Sequence, residues 1–215
     1  MAIPKSFLYL VLLLVATFAS IKIALAGDPD ILTDFIVPSN LTSGNGNPTI
    51  DGNFFTFTGM RVLVNGETPP AFKVLKAGMT EFPALNGQSV SYAALQFPAG
   101  STNPPHTHPR ASELLFVVDG SLDVGFIDTT NKLYTQTLQT GDMFVFPKGL
   151  VHFQFNADAQ KSTLAISGFG SSNAGTASIP STVFATGIDD NVLALSFKTD
   201  VATIQKIKAG LAPKA

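Results

Sequence analysis

The sequence predicts an all-β fold, an antiparallel sandwich or barrel followed by short C-terminal helices, and three observations carry that expectation. Between residues 55 and 184 the chain is a succession of short runs rich in Val, Phe, Leu, Thr and Tyr, among them SVSYAALQFPAG, SELLFVVDG, SLDVGFIDTTN, KLYTQTLQTGD and STLAISGFG. Gly, Pro or Asn punctuates these runs about every ten residues, and no helical period competes with them. Only after residue 184 does the pattern turn helical.

Residues 1–26, MAIPKSFLYLVLLLVATFASIKIALA, hold an early cation at Lys5, an apolar stretch from Phe7 to Ala19 and a small-x-small ending at Ala24-Leu25-Ala26. This is the layout of a secretory signal peptide, with cleavage expected after Ala26. A membrane anchor is the competing reading. Against it, the uncharged run ends at Lys22, the chain turns polar at Gly27-Asp28-Pro29-Asp30, and no later stretch is long and apolar enough to span a bilayer.

Residues 27–54 contain VPSNLTSGNGNPTIDGN and read as an irregular extension wrapping the core, not as a second domain. They carry one glycosylation sequon, Asn40-Leu41-Thr42, whereas Pro48 disqualifies Asn47-Pro48-Thr49. The alternative for Asn40 is an unmodified loop residue. Residues 55–184 are the expected barrel. In residues 185–215, Thr199 or Asp200 caps a helix bearing Val201, Ile204, Ile207 or Lys208, and Leu211, with Gly210 and Pro213 near its end. A shorter helical stretch from Asn191 to Phe197 precedes it. An amphipathic helix appended to a barrel must dock its apolar face, either on its own barrel or on a neighbouring subunit.

Composition narrows the function. At 45% hydrophobic and 13% charged residues, the 215-residue chain buries one substantial core and forms one main domain. A net charge of −2 and a pI near 5.8 provide no polycationic surface, which argues against a nucleic-acid partner. The chain has no cysteine, although an oxidising compartment favours disulfides in small domains. Its stability is therefore expected from packing, a metal or association.

Two of the three histidines stand in GSTNPPHTHPRASELLFVVDG. Residues i and i+2 of a strand face the same side, so His106 and His108 present two imidazoles together and Thr107 faces away. Glu113 lies an odd number of residues on, but Pro104, Pro105 and Pro109 make an unbroken strand implausible. Pro109-Arg110-Ala111-Ser112 serves as a turn that resets the register and lets Glu113 open the next strand beside the histidines. His152 opens VHFQFN, with Gln154 and Asn156 on its face and Phe153 and Phe155 on the other. Phe144, Phe146, Phe153 and Phe155 are expected in the core, and Lys148 and Arg110 at the surface.

Each histidine taken singly is more often structural than ligating. Together, His106, His108, Glu113 and His152 make a nitrogen and oxygen ligand set without thiolate. Such a set suits a six-coordinate ion that keeps positions open, Mn2+ first, with Fe and Zn behind it.

The two histidine segments resemble the two cupin motifs. Gly100, His106, His108, Glu113 and Gly120 match the first, and Gly141, Pro147, Gly149, His152 and Asn156 the second. GSTNPPHTHPRASE and GDMFVFPKGLVHFQFN look like the boxes of plant germins and germin-like proteins, and the resemblance runs nearly the whole chain. It implies a jelly-roll barrel that binds manganese, is secreted to the extracellular space, apoplast or cell wall, and is often glycosylated. It also implies dimers assembled into hexamers, a trimer of dimers with C-terminal helices clasping neighbours. SELLFVV and MFVFP are apolar on both alternating faces, so both faces are expected to be covered.

Two departures bear on activity. The family's cysteine pair near the mature N-terminus is missing, which points to a cysteine-free branch. In oxalate-oxidising germins, asparagines near the metal are implicated in holding substrate. Asn103 matches one, as a substrate or ligand-supporting residue or as a plain turn asparagine; Ala93 stands where the other would be. The expected function is a manganese germin-like protein, with superoxide as a small anionic substrate, a role in plant defence or the cell wall, and oxalate oxidation disfavoured. The alternative is a non-enzymatic extracellular binding or storage protein with a structural metal.

Overall fold

A computed structural model describes residues 28–42, 50–64 and 66–211; the expected signal segment lies outside them. Among the described residues, ten strands form two antiparallel sheets. The strands are β1 (Lys73–Ala77), β2 (Ser91–Phe97), β3 (Thr102–Thr107), β4 (Glu113–Asp119), β5 (Ser121–Ile127), β6 (Leu133–Gln139), β7 (Met143–Phe146), β8 (Val151–Phe155), β9 (Thr163–Phe169) and β10 (Ala177–Ser178). One sheet has the order β1-β2-β9-β4-β7 and the other β10-β3-β8-β5-β6. Neighbours in space are seldom neighbours in sequence, which is the jelly-roll arrangement of an all-β fold with short terminal helices.

Alternation along the strands builds the core. Leu95 and Phe97 of β2, Leu115 and Val117 of β4, Leu122 and Val124 of β5 and Leu138 of β6 point between the sheets and are almost fully buried. Tight turns return the chain from one strand to the next. Between β4 and β5 the turn needs Gly120, whose φ is +88° and where a Cβ would stand 2.5 Å from Thr163 Oγ1.

As the sequence predicted, the strand does not run on to Glu113: β3 ends at Thr107 and β4 starts at Glu113 after the turn, although Pro104 and Pro105 themselves lie within β3. Asn103 pairs with Gln154 and His106 with His152, so three steps along β3 match two along β8. Pro104 and Pro105 fall in this bulge, where their missing N–H groups cost no ladder bond. The extra residue also brings Asn103 and His106 to the same inner face despite their odd spacing.

Around the barrel, Asn40 lies in the one-turn helix Ser39–Thr42. The helix Ile179–Phe184, which the sequence pattern did not suggest, follows β10 directly. Next come helices Asp190–Phe197 and Val201–Leu211. Asp200, not Thr199, caps the last one, its carboxylate accepting from the Thr203 N–H at 2.8 Å. Leu193, Ala194 and Ile204 bury themselves against Val183, Phe184 and Val201. Lys208 donates to Asp190 and to the Ile188 carbonyl, tying the last helix to the start of the one before it.

One expectation about apolar residues needs correction. Phe146 is buried and Phe144 packs against the core, but Phe153 and Phe155 stand on the outer face of β8, and Phe155 is exposed. The outer face of β4 and β7 is likewise uncovered within the chain: Leu114, Phe116, Met143 and Val145 are 38–56% exposed and neighbour one another across the pair.

Candidate metal centre

Strands from both sheets deliver the four side chains. His106 lies near the end of β3, His108 follows it two residues later on the same side, and His152 sits opposite His106 on β8. Glu113 opens β4 in the other sheet, after the turn at Pro109–Ser112. All four are buried, and one ligand atom from each lies within 4.8 Å of the others. Three imidazoles and one carboxylate thus form a metal-binding group.

Backbone carbonyls orient the rings. Nδ1 of His106 donates to the Pro104 carbonyl at 2.8 Å, Nδ1 of His108 to Gly175 at 2.5 Å and Nδ1 of His152 to Leu150 at 2.9 Å. A carbonyl oxygen only accepts, so each Nδ1 carries a proton, which leaves Nε2 as the nitrogen with which each ring can coordinate a metal. Phe146 stacks on the His152 ring at 4.5 Å, and Phe169 meets the His108 ring edge-on at 4.8 Å.

Glu113 uses its two oxygens differently. Oε1 accepts from Ser167 Oγ at 2.6 Å and Gln154 Nε2 at 3.3 Å, while Oε2 faces His108 Nε2 at 3.0 Å and His152 Nε2 at 3.1 Å. With Nε2 unprotonated, the carboxylate oxygen meets the imidazole nitrogens as acceptor against acceptors, and a cation between them would turn that repulsion into coordination; without one, protonated rings donate to Glu113 instead. The donor set therefore fits a metal ion.

Without a metal, the ionised state of Glu113 is held by those same histidines acting as donors. Burial opposes ionisation of Glu113, but its pairing with His108 and His152 outweighs it and lowers the pKa to about 2. For His106, burial, followed by the neighbouring His152, lowers the pKa from 6.5 to about 4 and keeps the ring neutral. Neutral imidazoles and an ionised carboxylate are the forms a metal requires.

Asn103 is brought to the site but does not touch the four ligands. Its amide donates to Gln154 Oε1 at 2.7 Å, and Gln154 in turn donates to Glu113. Gln154 lies on the face predicted from VHFQFN. Ser167, more than fifty residues from Glu113, had no sequence signal beyond its place in an alternating run.

Arg110 is more than a surface charge. Its Nε and one terminal nitrogen donate to the carbonyl and side chain of Asn173, and its backbone N–H donates to Ala174 O at 3.1 Å. These bonds hold the loop whose next carbonyl, that of Gly175, orients His108. Asp28 braces the same loop, accepting from Ser171 Oγ at 2.5 Å and the Ser172 N–H at 2.7 Å. Burial raises the Asp28 pKa, yet these hydrogen bonds outweigh it and leave the carboxyl below its usual range. Asn156 of the second motif serves the fold, donating to Phe97, Pro98 and Lys161 carbonyls away from the ligands.

Known proteins share this frame. A family model described as cupin matches residues 67–205. The chain is 61% identical over 213 residues to putative germin-like protein 9-2 of Oryza sativa subsp. japonica, covering 97% of each. To germin-like protein 9-3 of the same plant it is 60% identical over 214 residues, again covering 97% of each. Among solved structures it is similar to an oxalate oxidase in complex with the substrate analogue glycolate, at 31% identity and a TM-score of 0.74. That match covers 87% of this chain and 100% of the other.

Proposed function

The chain belongs to the cupin family and, within it, to the germin-like proteins, and from that premise we propose that it is a secreted manganese protein that removes superoxide. One observation carries the reading: three backbone-braced imidazoles and one buried, ionised carboxylate bring ligand atoms within 4.8 Å of one another. His106, His108, Glu113 and His152 are the ligands. Manganese is preferred over iron or zinc because the set has no thiolate and leaves positions open. Bound there, manganese supplies one-electron exchange between its divalent and trivalent states, as conversion of superoxide to dioxygen and peroxide requires.

The chain's residues shape that chemistry. Ser167 and Gln154 occupy Oε1 of Glu113, leaving only Oε2 for the metal, and Asn103 fixes Gln154 from the far side. Oxalate oxidation is disfavoured. Ala93 offers no hydrogen bond in the inner cavity, and one N–H of the Asn103 amide is committed to Gln154.

The uncovered face of β4 and β7 and the exposed Leu195 and Phe197 of the C-terminal helices support homo-oligomerisation, as a hexamer built from dimers. The signal layout of residues 1–26 supports export to the apoplast or cell wall, where a defence role fits, with Asn40 as the glycosylation site.

A second reading has its own support. A cation held by Glu113 of one sheet and three histidines attached to the other staples the barrel together whether or not it turns over a substrate. That describes an extracellular binding or storage protein with a structural metal. Metal analysis of the purified secreted protein, with superoxide removal and oxalate-dependent peroxide release measured beside His152→Ala, separates the readings. Stoichiometric manganese with superoxide removal, both lost in His152→Ala, supports the enzyme. Manganese without either activity supports the structural metal. Full metal content and activity in the variant would refute the site.

A further inference from the structure

The way into the metal centre passes a lysine. Lys76 pairs with Ala93 across β1 and β2, so it lies on the inner face of the edge strand, two residues from the inward Val74. Among the described residues its ammonium has no hydrogen bond or ion pair. Two cavities meet at this point. The inner one, about 130 Å³, reaches His106, His108 and Glu113; the outer one, about 150 Å³, opens past Glu81 and Asn173. Lys76, His108, Phe169 and Thr176 line both, and so form the neck between them.

Two kinds of side chain line the inner cavity. The metal ligands, Asn103 and Lys76 are its polar lining, and Val74, Ala93 and Leu95, which neighbour Lys76 across β1 and β2, are its apolar lining. A divalent cation with one carboxylate ligand keeps a single positive charge, which one anion neutralises. An exposed, unpaired ammonium at the neck of the passage raises the local concentration of anions and can pair with one that enters. The apolar lining accepts a short hydrocarbon tail and offers a second charge nothing to bond with. Glu81, held by the Gly78 N–H at 3.1 Å, adds a negative charge to the outer cavity and disfavours a dianion further. The space exceeds the ~10–15 Å³ that one water needs, leaving room for several heavy atoms.

We propose that Lys76 is the anion-binding residue of this passage and that the site takes a short-chain monocarboxylate, its carboxylate between Lys76 and the metal centre and its tail on Val74, Ala93 and Leu95. The inference rests on the four donors holding a divalent cation.

The test begins with metal content and then measures binding of formate, acetate, propionate and oxalate to manganese-loaded protein by calorimetry. Wild type is compared with Lys76→Met and Lys76→Glu, circular dichroism reporting the fold of each. Lys76 is solvent-exposed on an edge strand, so neither variant is expected to disturb the barrel. Affinity is expected to rise about two- to fourfold per added carbon from formate to propionate, with oxalate weaker than propionate. Propionate binding should weaken roughly tenfold in Lys76→Met and further in Lys76→Glu. Loaded protein that binds carboxylates equally in all three forms, or prefers oxalate, overturns the inference and leaves the metal site standing. Protein that binds no divalent metal overturns both.

Discussion

The two ends of the barrel interior are made by the same strands under different rules. β4 turns Glu113, Leu115 and Val117 inwards, and β9 turns Ser167 and Ala165 inwards, so one step of the pleat separates a polar cluster from an apolar core. At the apolar end Phe97, Leu115, Val117, Leu122 and Val124 are at most 1% exposed, and each contributes through area removed from water. At the polar end His106, His108, Glu113 and His152 are also buried, yet their inward nitrogens and oxygens need a metal, or protons in its place, to join them. One end is stable by shape, and the other is stable on condition. The lesson is that similar burial need not mean similar contribution to folding.

The comparison can be broken first at its apolar end. Phe97→Ala or Leu115→Ala should cost about 3–5 kcal/mol, and chemical denaturation should give the same loss with metal bound or chelated. A loss that depends on metal would mean the two ends are not separable. Glu113→Gln attacks the polar end. Metal affinity should fall roughly a hundredfold or more, and added manganese should no longer raise the melting temperature, whereas it should raise that of wild type.

Acid sharpens the contrast further in metal-free protein. The folded-state pKa of His106 is lowered from 6.5 to about 4, so between those values the unfolded chain binds a proton that the folded chain does not. Stability present above pH 6.5 is therefore lost as pH falls towards 4, by on the order of 3 kcal/mol. Glu113, lowered from 4.5 to about 2, extends the loss in the same direction below pH 4.5. Melting curves against pH test this, and a flat profile from about pH 7 to 4 would contradict it. The smallest effect is expected at the braces. Arg110→Ala frees the Asn173–Gly175 loop and should weaken metal binding by about tenfold, measured by competition with a chelator, with the apolar core unaffected.

Much of the centre was legible because strand alternation is local. The pairing of His106 with His108, the reset before Glu113 and the inward face of His152 and Gln154 all follow from spacing and turn residues. Where the local pattern was not enough, a distant partner decided. Pro104 and Pro105 stay within β3 because β8 accommodates a bulge, and Phe155 faces outwards because its strand already commits His152 and Gln154 to the interior. Arg110 carries no mark in sequence of the Asn173 it binds, sixty-three residues away.

By itself, then, the sequence determined the strands, their turns, the family and the four ligand types, since each depends on residues within a few positions of one another. Only the tertiary structure decided that Ser167 and Gln154 hold one oxygen of Glu113, that Asp28 and Arg110 brace the His108 loop, and that Lys76 stands in the passage. The physical reason is that the pleat's period of two tells which side of a strand a residue takes. It does not tell which strand will lie beside it, and that is set by pairing across distances the local pattern does not encode.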